Sequence, residues 1–258
     1  MSSANRRVLG LSLVAVVVSA LAVGGGAALA RSLKDHKPHN GVTRAHSMPV
    51  QGIDVSYYQG DIDWPKVREA GVHFAFIKAT EGGDHLDPKF RQNWHAAKRV
   101  GIARGAYHFI YWCRKASEQA AWFIRNVPQD PDALPPVLDL EWHTHSKTCP
   151  KKISRKRALE KTKIILKAME RHTGKRPIIY TDPAFHREVL KDELKSYHFW
   201  LRTVAAEPHK IYPGRSWAFW QFTTTGHVPG VPGKVDRNIY NGSPNDWARV
   251  LKWLEASR

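Results

Sequence analysis

Two acidic residues, Asp139 and Glu141, stand two positions apart in an apolar segment at 137–141. In a β-strand their side chains would point to one face, and the intervening Leu140 would point to the other. Carboxylates on an apolar strand are costly unless that face borders a polar cleft. Because clustered carboxylates repel each other, the pKa of at least one rises, and an acid protonated near neutral pH can donate a proton to a leaving oxygen. Cleavage of a glycosidic bond needs such a donor and a second group that stabilises an oxocarbenium-like centre.

The same segment also fits two other interpretations. The two carboxylates could simply pair with basic residues, since the chain has 40 Lys+Arg against 23 Asp+Glu. A metal site is the second alternative, because His143, His145 and Cys149 follow closely and carboxylate and imidazole ligands suit zinc or manganese. Cys149 has a candidate disulfide partner, however, and both histidines are expected in a surface loop. We therefore predict no metal and no cofactor, and the absence of a G-x-S-x-G segment gives serine chemistry no support.

The elements that would position these residues are short apolar segments, typical of buried strands, which alternate with amphipathic helical segments from residue 50 onward. The predicted strands cover 52–56, 74–79, 103–109, 137–141, 178–180, 199–202, 217–222 and 235–238. The predicted helices cover 64–70, 90–100, 116–126, 154–172 and 244–256, and Gly174 follows the fourth as a stop signal. This alternation predicts an α/β fold, a single barrel domain over 49–258. The last three strands leave little room for helices, which argues against a regular eightfold barrel.

Polar residues at the ends of the predicted strands form one candidate site, because function in such barrels lies at the C-terminal ends of the strands. Five carboxylates would converge on this rim if the segments close into a barrel. The candidate residues are Asp54, Glu81, Tyr107, His108, Asp139, Glu141, Tyr180, Arg202, Gln221 and Asp236.

Seven segments in order resemble the glycoside hydrolase family 25 lysozymes, the Chalaropsis-type muramidases, over roughly residues 50 to 255. The segments are GIDVS at 52–56 with Tyr57 and QG at 59–60, FIKATEG at 76–82, GAYHF at 105–109, PVLDLE at 136–141, PIIYT at 177–181, FWQF at 219–222 and VDRN at 235–238. The resemblance implies a modified TIM-like (β/α)5(β)3 barrel, which agrees with the crowded final strands.

The resemblance also implies an activity: hydrolysis of the β-1,4 bond between N-acetylmuramic acid and N-acetylglucosamine in peptidoglycan, with retained configuration. Glu141 would be the general acid/base, and Asp139 would stabilise the 2-acetamido group or the cationic centre. Asp54 and Asp236 would complete an acidic floor, although Arg237 could pair with Asp236 and lower its pKa. A glycan-binding protein without turnover is the alternative function. The expected substrate contacts are Glu81, Tyr57, Tyr107, Tyr180, Arg202, Trp220 and Gln221.

The first 30 residues have the layout of an export signal. Arg6 and Arg7 precede an apolar run, and Ala28-Leu29-Ala30 resembles a cleavage site. The run is also long enough to span a bilayer, so an uncleaved membrane anchor is the alternative. Residues 31–48 are polar and basic, which predicts a flexible linker. In both cases the domain from residue 49 is expected outside the cytoplasm, whether periplasmic, secreted or anchored through the N-terminal segment.

Charge and cysteine content bear on partners. A formal net charge of +17 favours anionic partners, but no zinc-finger spacing, basic heptad region or RNP-type strand is present, so nucleic acid is not predicted. We expect a basic surface attracted to an anionic cell envelope, glycan strands as the partner and a monomeric chain. Cys113 and Cys149 are the two cysteines, and in an exported protein they predict one disulfide, with two free thiols as the alternative.

Overall fold

The computed structural model describes residues 39–256, so the predicted signal peptide or anchor at 1–30 and residues 31–38 of the predicted linker lie outside the described residues. In chain order the elements are α1 (Thr43–His46), β1 (Gln51–Val55), a 3-10 turn (Tyr57–Gln59), α2 (Trp64–Glu69), β2 (Val72–Glu81), β3 (His85–Leu86), α3 (Phe90–Arg99), β4 (Ala103–Phe109), α4 (Ala116–Asn126), β5 (Val137–Leu140), α5 (Arg155–Thr173), β6 (Ile178–Thr181), α6 (Pro183–Phe185) with a π-helical turn (His186–Leu190), β7 (His198–Arg202), α7 (Pro208–Ile211), β8 (Phe219–Gly226), β9 (Val235–Tyr240) and α8 (Pro244–Ala256).

Eight of the described strands close into a barrel in the order β1-β2-β4-β5-β6-β7-β8-β9, with β9 returning to β1. Strands β1 to β8 of the barrel run parallel to their neighbours, whereas β9 is antiparallel to both β8 and β1. Strand β3 pairs with β2 in a hairpin at the rim. Long connections carry the helices between the early strands, and no helix separates β8 from β9. The modified α/β barrel with crowded final strands is therefore confirmed.

Strand alternation separates two apolar layers. On β2, Phe74 and Phe76 belong to the cluster inside the barrel, whereas Ala75 belongs to the cluster between the barrel and its helices. Gly52 and Gly105 lie where a Cβ atom would come within 2.4 Å and 2.9 Å of the rings of Phe74 and Phe76. These two glycines therefore make room for the aromatic rings that fill the lower half of the barrel.

The predicted helix ends agree with the observed ones where the sequence contains capping signals. Helix α5 begins after Ser154, whose hydroxyl accepts a hydrogen bond from the Arg157 N–H, and ends at Gly174 with φ 69°. The sequence does not predict the two-residue strand β3 or the helical elements of three to five residues, because helical periodicity cannot be read in fewer than two turns. These short helical elements are α1, the 3-10 turn, α6 with its π-helical turn, and α7. Among the described residues, no helix is both long and apolar enough to cross a bilayer.

Residues 39–48, the C-terminal part of the segment that the sequence predicts as a flexible linker, pack on the barrel. Ala45 of α1 is fully buried against Trp220 and Phe222. The Thr223 hydroxyl donates a hydrogen bond to the His39 carbonyl, and Gln51 Nε2 donates to the Ala45 carbonyl at 2.9 Å. The few apolar residues of this basic segment are spaced so that they fall on one side of a short helix. Burial of that side outweighs the polar composition.

Candidate active site

The inward-facing positions at the C-terminal ends of the strands change from apolar to polar. Side chains alternate along β2, so Phe74 and Phe76 point into the barrel. Lys78, two residues later, points into the barrel as well, at the C-terminal end of the strand. The charged side chains at this end of the barrel lie close enough to shift each other's pKa values. This cluster, called here the acidic cleft, contains Asp54, Lys78, Tyr107, Asp139, Glu141, Tyr180, Asp182, Arg202, Gln221 and Asp236.

Asp54 is held by two amide side chains. Asn238 Nδ2 and Gln221 Nε2 donate hydrogen bonds to Asp54 Oδ2 at 2.8 Å and 2.9 Å, and Gln221 Nε2 also lies 3.2 Å from Asp236 Oδ2. The amide oxygens are occupied on the other side, because Trp200 Nε1 donates to Asn238 and the Tyr180 hydroxyl donates to Gln221. Both amides are thus oriented with their nitrogens toward the carboxylates.

Burial raises the pKa of Asp54 to about 6 even though both amides and the Arg202 charge favour its ionised form. Asp236 pairs with Asp54 across β1 and β9, and burial together with the Asp54 charge raises its pKa well above the ordinary value. Arg237, which could have paired with Asp236, has a different partner in the structure. Arg237 NH2 donates to Gln51 Oε1 at 2.8 Å on the outer side of the barrel, since adjacent strand residues face opposite ways.

Asp139 and Glu141 have different environments. Asp139 is 7% exposed, its Oδ1 has no hydrogen-bond partner in the described chain, and burial followed by the Glu141 charge raises its pKa well above the ordinary value. Glu141 is partly exposed at the rim. Burial, followed by the Asp182 charge, raises the pKa of Glu141 to about 7. The positive charges of Arg202 and Lys78 lower this pKa but do not offset the increase. An orphaned oxygen on Asp139 argues against a purely structural ion pair.

Asp182 is the clearest residue that sequence reasoning missed. It follows β6 directly, at the same end of the barrel as Glu141, and its charge is the leading electrostatic contribution that raises the Glu141 pKa. Asp182 Oδ1 also accepts the Phe185 N–H at 2.7 Å and so caps α6. Its position two residues after the predicted strand 178–180 was the available signal.

Lys78 lies within the FIKATEG segment, and the sequence alone gives it no role. Its ammonium forms an ion pair with Glu81, and the Tyr111 hydroxyl donates a hydrogen bond to the same carboxylate. Burial would raise the Glu81 pKa, but Lys78 and Tyr111 hold it below its ordinary value. Lys78 also lowers the pKa of Glu141, so the acidic cleft contains a cation on the β2 side that complements Arg202 on β7.

The predicted substrate contacts divide into three groups. Tyr107, Tyr180, Arg202 and Gln221 lie within the acidic cleft. Glu81 pairs with Lys78 of the cleft, and Tyr57 lies on the 3-10 turn that follows β1 at the same end of the barrel. The structure does not place Trp220 with them. Its ring is 3% exposed beneath α1, and its Nε1 donates to the Thr203 carbonyl at 2.7 Å. Trp220 neighbours Gln221 on β8, and only one of two adjacent strand residues can face inward.

His108 is likewise outside the cleft. It is fully buried between Thr80, whose hydroxyl lies 2.8 Å from Nδ1, and Gln119. Burial lowers the pKa of His108 to about 4, which keeps the ring neutral.

The loop after Glu141 is tied by the predicted disulfide. Cys113 and Cys149 are bonded with their Cα atoms 5.6 Å apart, so Cys149 is not available as a metal ligand. The His143 ring packs against Phe109 and Tyr111 with centroids 4.9 Å and 5.1 Å apart. Over residues 39–256, no group of three or more His, Cys, Asp or Glu side chains is arranged to hold a metal ion.

Comparison with known proteins agrees with this geometry. The sequence profile of the family described as Glycosyl hydrolases family 25 matches residues 53–231. The chain belongs to this family. It is therefore a glycoside hydrolase, as the ordered motifs predict.

Relatives of this family 25 hydrolase cover most of the chain. The uncharacterized protein YegX of Escherichia coli (strain K12) is 38% identical over 205 residues, which span 76% of this chain and 71% of YegX. Lysozyme M1 of Streptomyces globisporus is 35% identical over 221 residues, spanning 80% of this chain and 72% of that lysozyme. A solved family 25 glycosyl hydrolase from Bacillus anthracis superposes with a TM-score of 0.73 at 35% identity, covering 83% of this chain and 97% of that one.

Proposed function

We propose that this family 25 hydrolase is a lysozyme that cuts the β-1,4 bond between N-acetylmuramic acid and N-acetylglucosamine in peptidoglycan. The substrate class is supported by the similarity to Lysozyme M1 and by the carboxylates of the acidic cleft. The layout of the first 30 residues supports export, which would bring the domain to the cell wall.

The observation that carries the proposal is the contrast between Asp139 and Glu141. Glu141, with a pKa of about 7, is divided between protonated and ionised forms near neutral pH, so it can serve as both proton donor and acceptor. Asp139 keeps a buried oxygen without a partner, ready to accept a hydrogen bond from a substrate N–H. An N-acetyl sugar supplies such an N–H beside the carbon that is attacked.

The reaction would proceed in two proton transfers. Glu141 donates its proton to the glycosidic oxygen, the bond from that oxygen to C1 breaks, and the leaving sugar departs as a neutral alcohol. Glu141 then takes a proton from a water molecule whose oxygen bonds to C1, which restores the protonated acid. Retained configuration requires a nucleophile on C1 between these steps. Asp139, as acceptor of the acetamido N–H, would orient the acetamido oxygen of the substrate for that attack. The bond that this oxygen forms with C1 breaks when the water oxygen bonds to C1 in the second step.

The experiment compares wild type with Glu141→Gln on purified peptidoglycan. Release of reducing ends should fall by a factor of about 10² to 10⁴ in the variant, the range that general acid–base catalysis contributes. Mass spectrometry of the products identifies the bond that is cut, and NMR of the first anomer formed tests retention. Equal activity in both proteins would remove Glu141 from its role. Saturable binding of peptidoglycan by wild type without any product would instead favour the non-catalytic glycan-binding function.

A further inference from the structure

Two tyrosines on one loop are unusually exposed. Over the residues whose side chains the structure describes, five large apolar side chains are exposed, and the adjacent pair Tyr57 and Tyr58 accounts for two of them, with 37% and 75% of their surface accessible. Their ring centroids are 4.0 Å apart. The two adjacent rings form a patch of apolar surface in contact with water, and such patches commonly mark binding sites.

The loop that carries these rings is held in place by hydrogen bonds. The Tyr57 N–H donates to Asp87 Oδ2 at 2.9 Å, and Asp87 itself is buried. Ser56 and Gln59 form a capping box around the 3-10 turn, in which the Ser56 N–H donates to Gln59 Oε1 at 2.9 Å. The exposure of the two rings is therefore a property of a fixed loop, and a ligand would not have to order the loop on binding.

The tyrosine pair is continuous with the acidic cleft. A hydrogen bond with Tyr58 is the leading cause that raises the pKa of Tyr57 to about 12, and the charges of Asp87 and Glu81 also contribute. The Tyr111 hydroxyl donates to that same Glu81 carboxylate. Tyr57, Tyr58 and Tyr111 thus line one rim, which we name the tyrosine rim. It follows β1 and β4 at the end of the barrel where Glu141 follows β5.

The tyrosine pair lies farther from Glu141 than one sugar ring extends. From β1 to β5 the barrel takes three strand-to-strand steps, through β2 and β4, which amounts to roughly 14 Å along the curved edge at about 4.8 Å a step. A group bound on Tyr57 and Tyr58 would therefore be a different sugar from the one whose bond meets Glu141.

We propose that the Tyr57 and Tyr58 pair of the tyrosine rim forms a separate binding position for an N-acetylhexosamine of the same glycan strand, two or more sugars away from the bond that is cut. The apolar face of a pyranose ring fits a tyrosine ring, while the tyrosine hydroxyls and the Glu81 carboxylate bind its hydroxyl groups. The identity of the ligand as a glycan rests on the proposed function. The rim itself would make long strands bind more tightly than short ones.

The test measures binding in the Glu141→Gln background, where no cleavage consumes the ligand. Peptide-free peptidoglycan glycan strands of four and eight sugars are titrated by calorimetry. The eight-sugar strand should bind more tightly than the four-sugar strand. Changing both Tyr57 and Tyr58 to Ala should remove that difference, with a loss for the longer strand of about tenfold, the factor expected from one or two aromatic stacking contacts.

Two further variants keep the test specific. Changing both tyrosines to Phe retains the rings and should retain most of the length preference. Trp253→Ala removes another exposed aromatic ring, 50% accessible, from the opposite end of the barrel near the first residues of β6 and β7, and should leave the preference intact. Equal affinity for both strands, loss of the preference in Trp253→Ala, or no measurable binding would overturn the proposal. A length preference in a protein whose wild type cuts no glycan would sink the proposed function and leave the tyrosine rim standing.

Discussion

The indole Nε1 of Trp112 donates a hydrogen bond of 2.7 Å to the main-chain carbonyl oxygen of Glu141. Trp112 is buried and stacks on Phe185 with ring centroids 4.9 Å apart and an interplanar angle of 15°. The next residue, Cys113, is bonded to Cys149 in the loop that follows Glu141. The backbone of Glu141 is therefore held from the helix side of the barrel while its side chain reaches the acidic cleft.

Trp112→Phe should lower activity more than it lowers stability. Phenylalanine keeps a ring against Phe185 but loses the N–H donor and leaves the Glu141 carbonyl without this partner, which costs about 1 to 3 kcal/mol of stability. A general acid displaced by as little as 1 Å can lose about 10²-fold in rate, so we expect kcat to fall by about 10- to 100-fold with little change in KM. Steady-state kinetics on soluble glycan strands measures both.

Trp64→Phe is the matched control for this change. Trp64 is equally buried, and its Nε1 also donates one hydrogen bond, to Asn93 Oδ1 at 3.2 Å, but it lies on α2 outside the acidic cleft. It should lose similar stability and keep its kcat. Similar losses of kcat in both variants would show that Trp112 has only a structural role.

Asp182→Asn should move the pH profile. Asparagine can still accept the Phe185 N–H, so α6 keeps its cap, but the negative charge that raises the Glu141 pKa is gone. Glu141 must be protonated to donate, so the alkaline limb of kcat/KM, expected near pH 7, should shift to lower pH. Glu160→Gln, which neutralises an exposed carboxylate on α5, should leave the limb in place. An unchanged limb in Asp182→Asn would show that this charge does not control Glu141.

Glu141→Gln should be more stable than wild type at alkaline pH. A carboxyl whose pKa is higher in the folded than in the unfolded state binds more protons when folded, so stability falls as pH rises from about 4.5 to about 7. At pH 8 the ionised Glu141 lowers the free energy of unfolding of the wild type by about 3 kcal/mol, from the raised pKa at 1.36 kcal/mol per pKa unit. Gln carries no charge and avoids this loss, which vanishes below about pH 4. Urea unfolding at both pH values measures it. Equal stability of the two proteins at pH 8 would contradict a raised Glu141 pKa.

Removal of the disulfide should destabilise the domain substantially. The bond joins residues 36 positions apart, and closing a loop of that length contributes about 3 to 4 kcal/mol through the unfolded chain. Urea unfolding of the Cys113→Ser, Cys149→Ser double variant should show this loss. Because Cys113 follows Trp112 directly, the variant should also lose activity before it unfolds. Full activity in the folded variant would show that the Trp112 contact positions Glu141 without the disulfide.

Several features of the site could be predicted because they depend on local periodicity. Asp139 and Glu141 lie on one face because strand side chains alternate, and Asp54 and Asp236 lie beside them because strand ends meet at one rim. Cys113 could pair with Cys149 alone, since the chain has two cysteines. Each of these inferences needs only the order of elements and the spacing of residues within them.

Alternation alone does not say which face of a strand is the interior. Trp220 and Gln221 are adjacent on β8 and were both predicted to contact substrate, but closure of the barrel turns Gln221 inward and leaves Trp220 under α1. Arg237 was expected beside Asp236, and the same closure sends it outward. Such choices depend on which neighbouring strands and segments cover each face.

The amino-acid sequence by itself determined the barrel, the acids of its rim and the disulfide, because these follow from periodicity, strand order and the number of cysteines. Only the tertiary structure decided how the acids differ. The pKa of Glu141 depends on burial and on Asp182, 41 residues later in the chain, and its backbone depends on Trp112, 29 residues earlier. Electrostatic and hydrogen-bond energies depend on distance through space, which residue spacing along the chain does not specify.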